Sequence, residues 1–506
     1  MNITKSFYLA LCIAVGGSLA ACDDDRNEVR YDVIQVPEQL FAEGMAAAPV
    51  GGSQTFMVQS PATVSVQLEA LDEADNLKWI KAEVGELTSE GYPVTVTTEL
   101  NETRGPRSAR VAVFAGNVAR GMIVTQQTNA PVVPAETPIK DMTAAQIAKE
   151  MFAGVNIGNT LEAPDGEGAW TRSVTVDYIR GLKAAGFNAV RVPCAWASHI
   201  DGKTTAEKAK NIIKADWLER VDEVVGWIIG EGMYAIVNIH WDGGWLEETC
   251  VNGYDEAVDR KQSTFWTQIA NKLNHYDEHL LFAGMNEPGQ QNQSLAGQQE
   301  SLKAIMAYQQ TFVNAVRGTG GNNASRVLIH QTPYTNIDEG VKGLYALPED
   351  PAADRAMVEV HFYDPSDFTI MDKDNAWSGP NNPIKLYWGA ANHVAGSDRN
   401  CTWGEEDNVD TQFAKIQNYY VSKGIPVIIG EYGVEANRNI DGMDVDKHQA
   451  SRAYWTEYVT KSAKNHGCVP FLWETGGDIN RTNGSLTNAY LFNALMNGAA
   501  NGVYPF

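Results

Sequence analysis

Two rhythms of apolar residues divide this chain. Between Ile34 and Thr128, apolar and polar positions alternate in short runs, VSVQL, LKWIKA, YPVTVTTEL, SARVAVFA and GMIVTQQ, each closed by turn residues. A period of two places every second side chain on one face, so these runs predict strands with one buried face, and together a small Ig-like β-sandwich over residues 34–129. From Asp141 onward the rhythm changes. Eight compact apolar runs, MFAGVNIG, NAVRVPCAW, YAIVNIH, HLLFAGMNE, RVLIH, MVEVHFY, PVIIGEYG and VPFLWET, are mostly separated by stretches of helical spacing. VTVDYIRGLKAAG, WLERVDEVVGWIIGEG and QASRAYWTEYVTKSAKNHG are three of these stretches, and each ends on a glycine able to cap a helix. Eight such strands predict an α/β fold, a (β/α)8 barrel over residues 142–506. A doubly wound sheet is the other arrangement, but no glycine-rich phosphate loop follows the first run. The proline-rich segment APVVPAETPIKD, residues 130–141, reads as an extended, semi-rigid linker between the two parts.

The first residues belong to neither rhythm. Lys5 precedes FYLALCIAVGGSLAA, too short for a comfortable transmembrane helix and the right length for a secretory core. It ends in Leu19, Ala20, Ala21 and Cys22, which resembles a bacterial lipobox. That resemblance implies a signal peptide over residues 1–21, acylation of Cys22, and a tether over 22–33. Asp23, Asp24 and Asp25 resemble the acidic run of surface-exported Bacteroidetes lipoproteins, or form a solvated linker. The expectation is an envelope protein, lipid-anchored to the outer membrane and facing outward.

Composition narrows the partners. A net charge of -24 repels nucleic-acid phosphates and anionic lipid and suits a neutral substrate, so membrane contact is expected through the lipid alone, by a monomer. Of the six cysteines, Cys12 and Cys22 lie in the leader. Cys194 and Cys468 sit in apolar runs and read as core thiols. Cys250 and Cys401 lie in polar stretches, where a disulfide or two thiols are both open. None has paired metal-ligand spacing.

The chemistry is at the ends of the barrel runs, most of which begin apolar and finish polar. Arg191, His240, Asn286 with Glu287, His330, His361 with Tyr363, Glu431, and Trp473 with Glu474 all stand there. In a barrel these ends converge on one mouth. A single buried acid could be a structural partner for Arg191. Two acids, on the fourth and seventh runs and so nearly opposite, form the carboxylate pair that glycoside hydrolysis needs.

With those residues in place, the barrel resembles glycoside hydrolase family 5, the cellulase family, over nearly its whole length. NAVRVP, MNEPG, VHFY, GEYG and FLWE follow in the family's order on successive strands. The resemblance implies that Glu287 is the acid/base, Glu431 the nucleophile, and Arg191 the guanidinium that keeps Glu431 ionised. His240, Asn286, His361 and Tyr363 then line the reacting subsite, and Trp473 is the platform under the sugar. A retaining reaction is implied, with carboxyls about 5 to 5.5 Å apart, Glu287 starting protonated and Glu431 ionised. Both groups are carboxylates, so no cofactor is implied. Asp242 and Glu247 near His240 match no recurrent metal motif.

The partner implied is a β-linked polysaccharide. GNTLEA after the first run resembles an endoglucanase subfamily acting on glucans and xyloglucan, which makes Asn159 and Glu162 distal sugar contacts. That subfamily often has a second histidine where HWDGGWLEE has Trp241, which leaves β-mannanase as the alternative. A non-catalytic glycan-binding lipoprotein is the other alternative, opposed by the presence of both glutamates. Trp170, Trp241, Trp245, Trp377, Trp388 and Trp403 are expected in loops beyond the strands, some packing those loops and others, among them Trp241 and Trp245, lining a groove for internal cleavage. In the N-terminal part, Trp79, Asn101, Arg107 and Gln126 stand where a BACON domain has them. A BACON domain implies glycan binding. Trp79, in an alternating run, suits a core position instead, so a spacer role is the stronger expectation.

Overall fold

The computed structural model describes residues 34–71, 75–103, 105–131, 136–289, 295–375, 382–435 and 440–506. The leader, Cys22 and its aspartates, residues 132–135 of the linker, and Trp377 lie outside the described residues. The described residues separate into two compact units, those of Met1–Leu100 with Arg107–Gln127 and those of Asn101–Pro106 with Thr128–Phe506.

The first unit is a two-sheet sandwich of seven strands: β1 (Met45–Ala47), β2 (Gly52–Val58), β3 (Val64–Ala70), β4 (Ile80–Val84), β5 (Tyr92–Thr98), β6 (Arg107–Ala115) and β7 (Val118–Gln126). One sheet runs β1-β7-β6-β3 and the other β2-β5-β4. Both inner faces supply its core, with Val58, Val94, Val111, Val113 and Val124 fully buried. Trp79 is buried too, and the Arg107 guanidinium lies 4.6 Å from the centre of its ring. Arg107 also donates to Gln126 (2.9 Å), whose amide donates to the Glu99 carbonyl. Three of the residues behind the BACON resemblance thus lock the sandwich together, and Trp79 offers no open face.

The second unit closes eight parallel strands into a barrel: β8 (Gly154–Asn156), β9 (Ala189–Val192), β10 (Tyr234–Asn238), β11 (Leu280–Ala283), β12 (Leu328–Gln331), β13 (Ala356–Phe362), β14 (Val427–Tyr432) and β15 (Cys468–Leu472). Every strand lies on one of the eight apolar runs, with β12, β13 and β15 each reaching one residue beyond it, to Gln331, Ala356 and Cys468. The three helical stretches become Val176–Ala184, Ala215–Gly230 and Val445–Asn465, closed by Gly186, Gly232 and Gly467 at positive φ. Outward strand residues such as Val190, Val237, Phe282 and Val358 pack under the helices. Inward ones, including Ile236, Leu281, Ile329, Met357, Ile428 and Phe471, form a separate apolar layer inside the barrel. Ile147, Ala148 and Met151, in and just after the helix Ala144–Glu150, belong to that layer and seal the end opposite Glu287 and Glu431.

The barrel cysteines are all buried thiols, and the Cys250–Cys401 bridge is not formed. Cys250 is instead enclosed by its own helical turn, its Sγ bonded to the Leu246 carbonyl at 3.1 Å.

Candidate active site

Strict alternation along β14 would point Ile428, Gly430 and Tyr432 inward and Glu431 outward. The pairing slips at this point. Val360 pairs with Ile429 but His361 with Glu431, and on the other side Ile429 pairs with Pro470 but Tyr432 with Leu472. Gly430 is the extra residue of a β-bulge, which reverses the facing of the residues after it. Glu431 therefore enters the barrel, while Tyr432 turns outward to share a hydroxyl hydrogen bond with Thr460 (2.7 Å). A side chain at 430 is excluded, because its Cβ would collide with a carboxylate oxygen of Glu359.

On β13 the period of two holds. Met357, Glu359 and His361 share the inward face, with Tyr363 beyond the strand end. Arg191, fully buried, is the hub: it donates to Asn156 (3.0 Å), Asn286 (2.7 Å) and Glu431 (3.0 Å), and pairs with Glu359 at 2.9 Å. Glu431 also accepts from the Tyr363 hydroxyl at 3.1 Å. His361 places Nδ1 2.7 Å from Glu287 and 3.6 Å from Glu431, and Nε2 3.2 Å from Glu359. The Glu287 side chain is 46% exposed and that of Glu431 8%. One faces the opening and the other is sunk in the floor.

The protonation states follow from these contacts. Burial alone would lower the His361 pKa, but three carboxylates around the ring raise it to about 10. Burial pushes His240 well below its ordinary value, helped by the positive charges of Arg191 and His361. His240 is thus neutral, accepting from the Asn238 amide at 3.3 Å and lying parallel to Trp473 at 5.6 Å. The two glutamates depart from expectation. Burial and the neighbouring carboxylates push Glu431 up, against Arg191 and His361, whereas the close His361 contact outweighs burial and holds Glu287 down. The 2.7 Å contact with His361 thus favours the charged form of Glu287 in the empty site, where the expected starting state has it protonated.

Glu287, His361 and Glu431 each offer a donor atom, all within 4.8 Å of one another, a spacing compatible with a cation. A cationic imidazole has no lone pair left for a metal, however, and His361 is held in that form by carboxylates at both nitrogens. Asp242 accepts the Ala197 N–H (2.7 Å) and the Trp245 indole N–H (2.8 Å), and Glu247 accepts the backbone N–H of Glu287 (2.8 Å). Both acids brace loops.

Several expectations need correction. His330 does not reach the mouth: it faces outward, bonded to Gln309 at 3.1 Å and edge-on to Phe312, and its neighbour Gln331 takes the inward position. Glu474 is folded into its own loop, accepting from Gly476, Asp478 and Ile479. Glu162 is 3% exposed and accepts the backbone N–H groups of Asn159 and Thr160 (2.7 Å for the latter), so it holds the loop that presents Asn159 at positive φ. Trp388 is fully buried. Trp245 is half-buried between Phe265 and the Lys261 ammonium. Trp170, Trp241 and Trp403 remain open. Glu359, Asn156 and Gln331 had gone unnoticed in the sequence. The signal for Glu359 was available, since it lies two residues before His361 on a period-two strand.

Raising a histidine pKa on folding ties stability to pH in a fixed sense. Below pH 6.5 both the folded and unfolded chains hold the His361 proton and its contribution is complete; between 6.5 and about 10 only the folded chain does, and the contribution is lost through that window. We expect the denaturant midpoint to fall as pH rises across it, and His361→Gln to flatten the slope. An unchanged slope in the variant would refute the contact.

A parallel barrel with an arginine-held glutamate in its floor and a second glutamate at its opening defines a hydrolase of glycosidic bonds. The cellulase family, glycosyl hydrolase family 5, matches residues 151–478. The chain belongs to that family. A xyloglucan-specific endo-β-1,4-glucanase of Bacteroides ovatus is 34% identical over 473 residues, spanning 88% of each chain. Among solved structures, a Bacteroides ovatus family 5 xyloglucanase with a XXXG heptasaccharide superposes with a TM-score of 0.64 at 31% identity, covering 92% of this chain and 100% of the other. A xyloglucan-specific β-1,4-glucanase from a ruminal metagenomic library, bound to XXLG, also gives 0.64, at 40% identity over 72% of this chain and 98% of its own.

Proposed function

We propose that this protein is a retaining endo-β-1,4-glucanase acting on xyloglucan and related β-glucans, with Glu431 as nucleophile and Glu287 as acid/base. The observation that carries this reading is the closeness of the two acids: one oxygen of Glu287 and one of Glu431 lie within 4.8 Å of each other, which suits the separation of about 5 to 5.5 Å of a retaining pair better than the roughly 6.5 Å or more that an inverting enzyme needs for its water. Glu431 attacks the anomeric carbon while Glu287 protonates the departing oxygen; Glu287 then draws a proton from water, which releases the sugar. A glycosidic oxygen arriving at Glu287 displaces its His361 contact, and the pair's proton passes to Glu287 while Arg191 and Tyr363 keep Glu431 charged. Neutral His240 and Trp473 offer the adjoining sugar a hydrogen-bond partner and an apolar face.

The xyloglucan preference rests on similarity to the xyloglucan enzymes above, and the open Trp170, Trp241 and Trp403 suit a long chain held along a groove. Acylation at Cys22 and an outward-facing position on the outer membrane belong to the same reading, with the sandwich as spacer. The test is to assay the chain from residue 22 onward on xyloglucan, barley glucan, carboxymethyl cellulose and glucomannan, following the product anomer by NMR. Internal cleavage, fastest on xyloglucan, with the β-anomer released first, is expected. An α-anomer released first would overturn the mechanism, and cleavage of mannan alone would overturn the substrate.

A further inference from the structure

Among the described residues, Glu359 is the one wholly buried acid in contact with both cations of the site, and it is not one of the reacting groups. One oxygen meets Arg191 (2.9 Å) and His361 (3.2 Å), and the other accepts from Gln331 (2.5 Å). The bulge at Gly430 leaves it room, and no side chain at 430 would fit. Around it stand Arg191 and His361 as cations, Glu287 and Glu431 as the pair, neutral His240, and Tyr363, whose pKa burial holds well above its ordinary value. Glu247, pushed up to about 7 by burial, supports the Glu287 backbone. Arg191 and His361 alone would balance two carboxylates, and both members of the pair would ionise, leaving no acid for the leaving group.

We propose that Glu359 is a positioning residue that sets the proton count of the Glu287–Glu431 pair: it cancels one of the two cations, leaving charge enough to ionise one carboxyl while the other keeps its proton. Glu359 thereby supplies the starting state of the reaction without touching substrate. Glu359 itself stays ionised, because Arg191, His361 and Gln331 together outweigh the effect of its burial. The inference rests on the assignment of Glu287 and Glu431 made above.

Glu359→Gln removes the cancelling charge while keeping the shape. The alkaline limb of kcat/KM on xyloglucan should move to lower pH by about one unit or more, the usual effect of one added charge at this range. Hydrolysis of 2,4-dinitrophenyl β-cellobioside, whose leaving group departs unprotonated, should lose less than about threefold at pH 7. Glu359→Asp should restore the limb. An unmoved limb, or equal losses on both substrates, would overturn the proposal in favour of a purely structural role. A measurement on the unaltered chain does not depend on a variant folding: ¹⁵N-histidine spectra should show one imidazole holding both ring protons at pH 8, and its absence would overturn the charge count. If Glu287→Gln and Glu431→Ala keep full activity, the site assignment itself has failed; if they are inactive while Glu359→Gln keeps the original profile, only this inference has.

Discussion

Glu431→Ala is expected to lower kcat on glucan by about 10⁴-fold or more, close to 5.5 kcal/mol of lost transition-state stabilisation. The size follows from the proposed role: without the carboxylate the anomeric carbon would have no partner on the face opposite the leaving group, and a double displacement could not begin. Folding should survive, since Arg191 keeps Glu359, Asn156 and Asn286 as partners and one buried negative charge is removed. The truncated side chain leaves space that a small anion can enter. Azide supplied with an activated aryl cellobioside should restore turnover and give the α-glycosyl azide, seen directly by NMR. Residual hydrolysis within tenfold of the parent, or a β-azide, would remove Glu431 from the nucleophile's role.

Arg191→Met is expected to cost about 3–5 kcal/mol of stability and all measurable hydrolysis. The guanidinium lies wholly inside the protein and meets four side chains. Methionine fills the volume but strands Glu359 and Glu431 without their main compensating charge, and an unpaired buried carboxylate is among the costliest things a core can hold. Lysine would not repair it, since one ammonium cannot reproduce a planar fork reaching β8, β13, β14 and Asn286 at once. Denaturant titration measures the loss. A variant within 1 kcal/mol of the parent would mean the carboxylates are not sharing that cation.

How far the sequence carried this picture depended on the kind of signal. The eight strands were legible because each is an apolar run buried on both faces, and their polar endings marked the mouth. Glu287 and Glu431 were legible from their motifs, though the inward turn of Glu431 was not, because a bulge breaks the alternation that sequence reading relies on. Glu359 stayed hidden for the opposite reason: it obeys the alternation, one step deeper than the strand end where chemistry was sought. His330 was misread by a single register step, since a strand-end histidine faces outward as readily as in. The sandwich strands β1 and β2 were missed where polar GSQT precedes the apolar part of β2. The proton preference of the glutamate pair depends on which oxygen a ring nitrogen approaches, and no linear pattern encodes that.

The close approach of Gly430 and Glu359 has a consequence for recombining such barrels. The missing side chain on β14 and the carboxylate on β13 are two halves of one lock, cut from segments about seventy residues apart in the chain. A chimera that takes its sixth barrel strand from one parent and its seventh from another inherits the lock only if both parents share it. Crossovers placed between these strands should yield dead hybrids far more often than crossovers that keep them together.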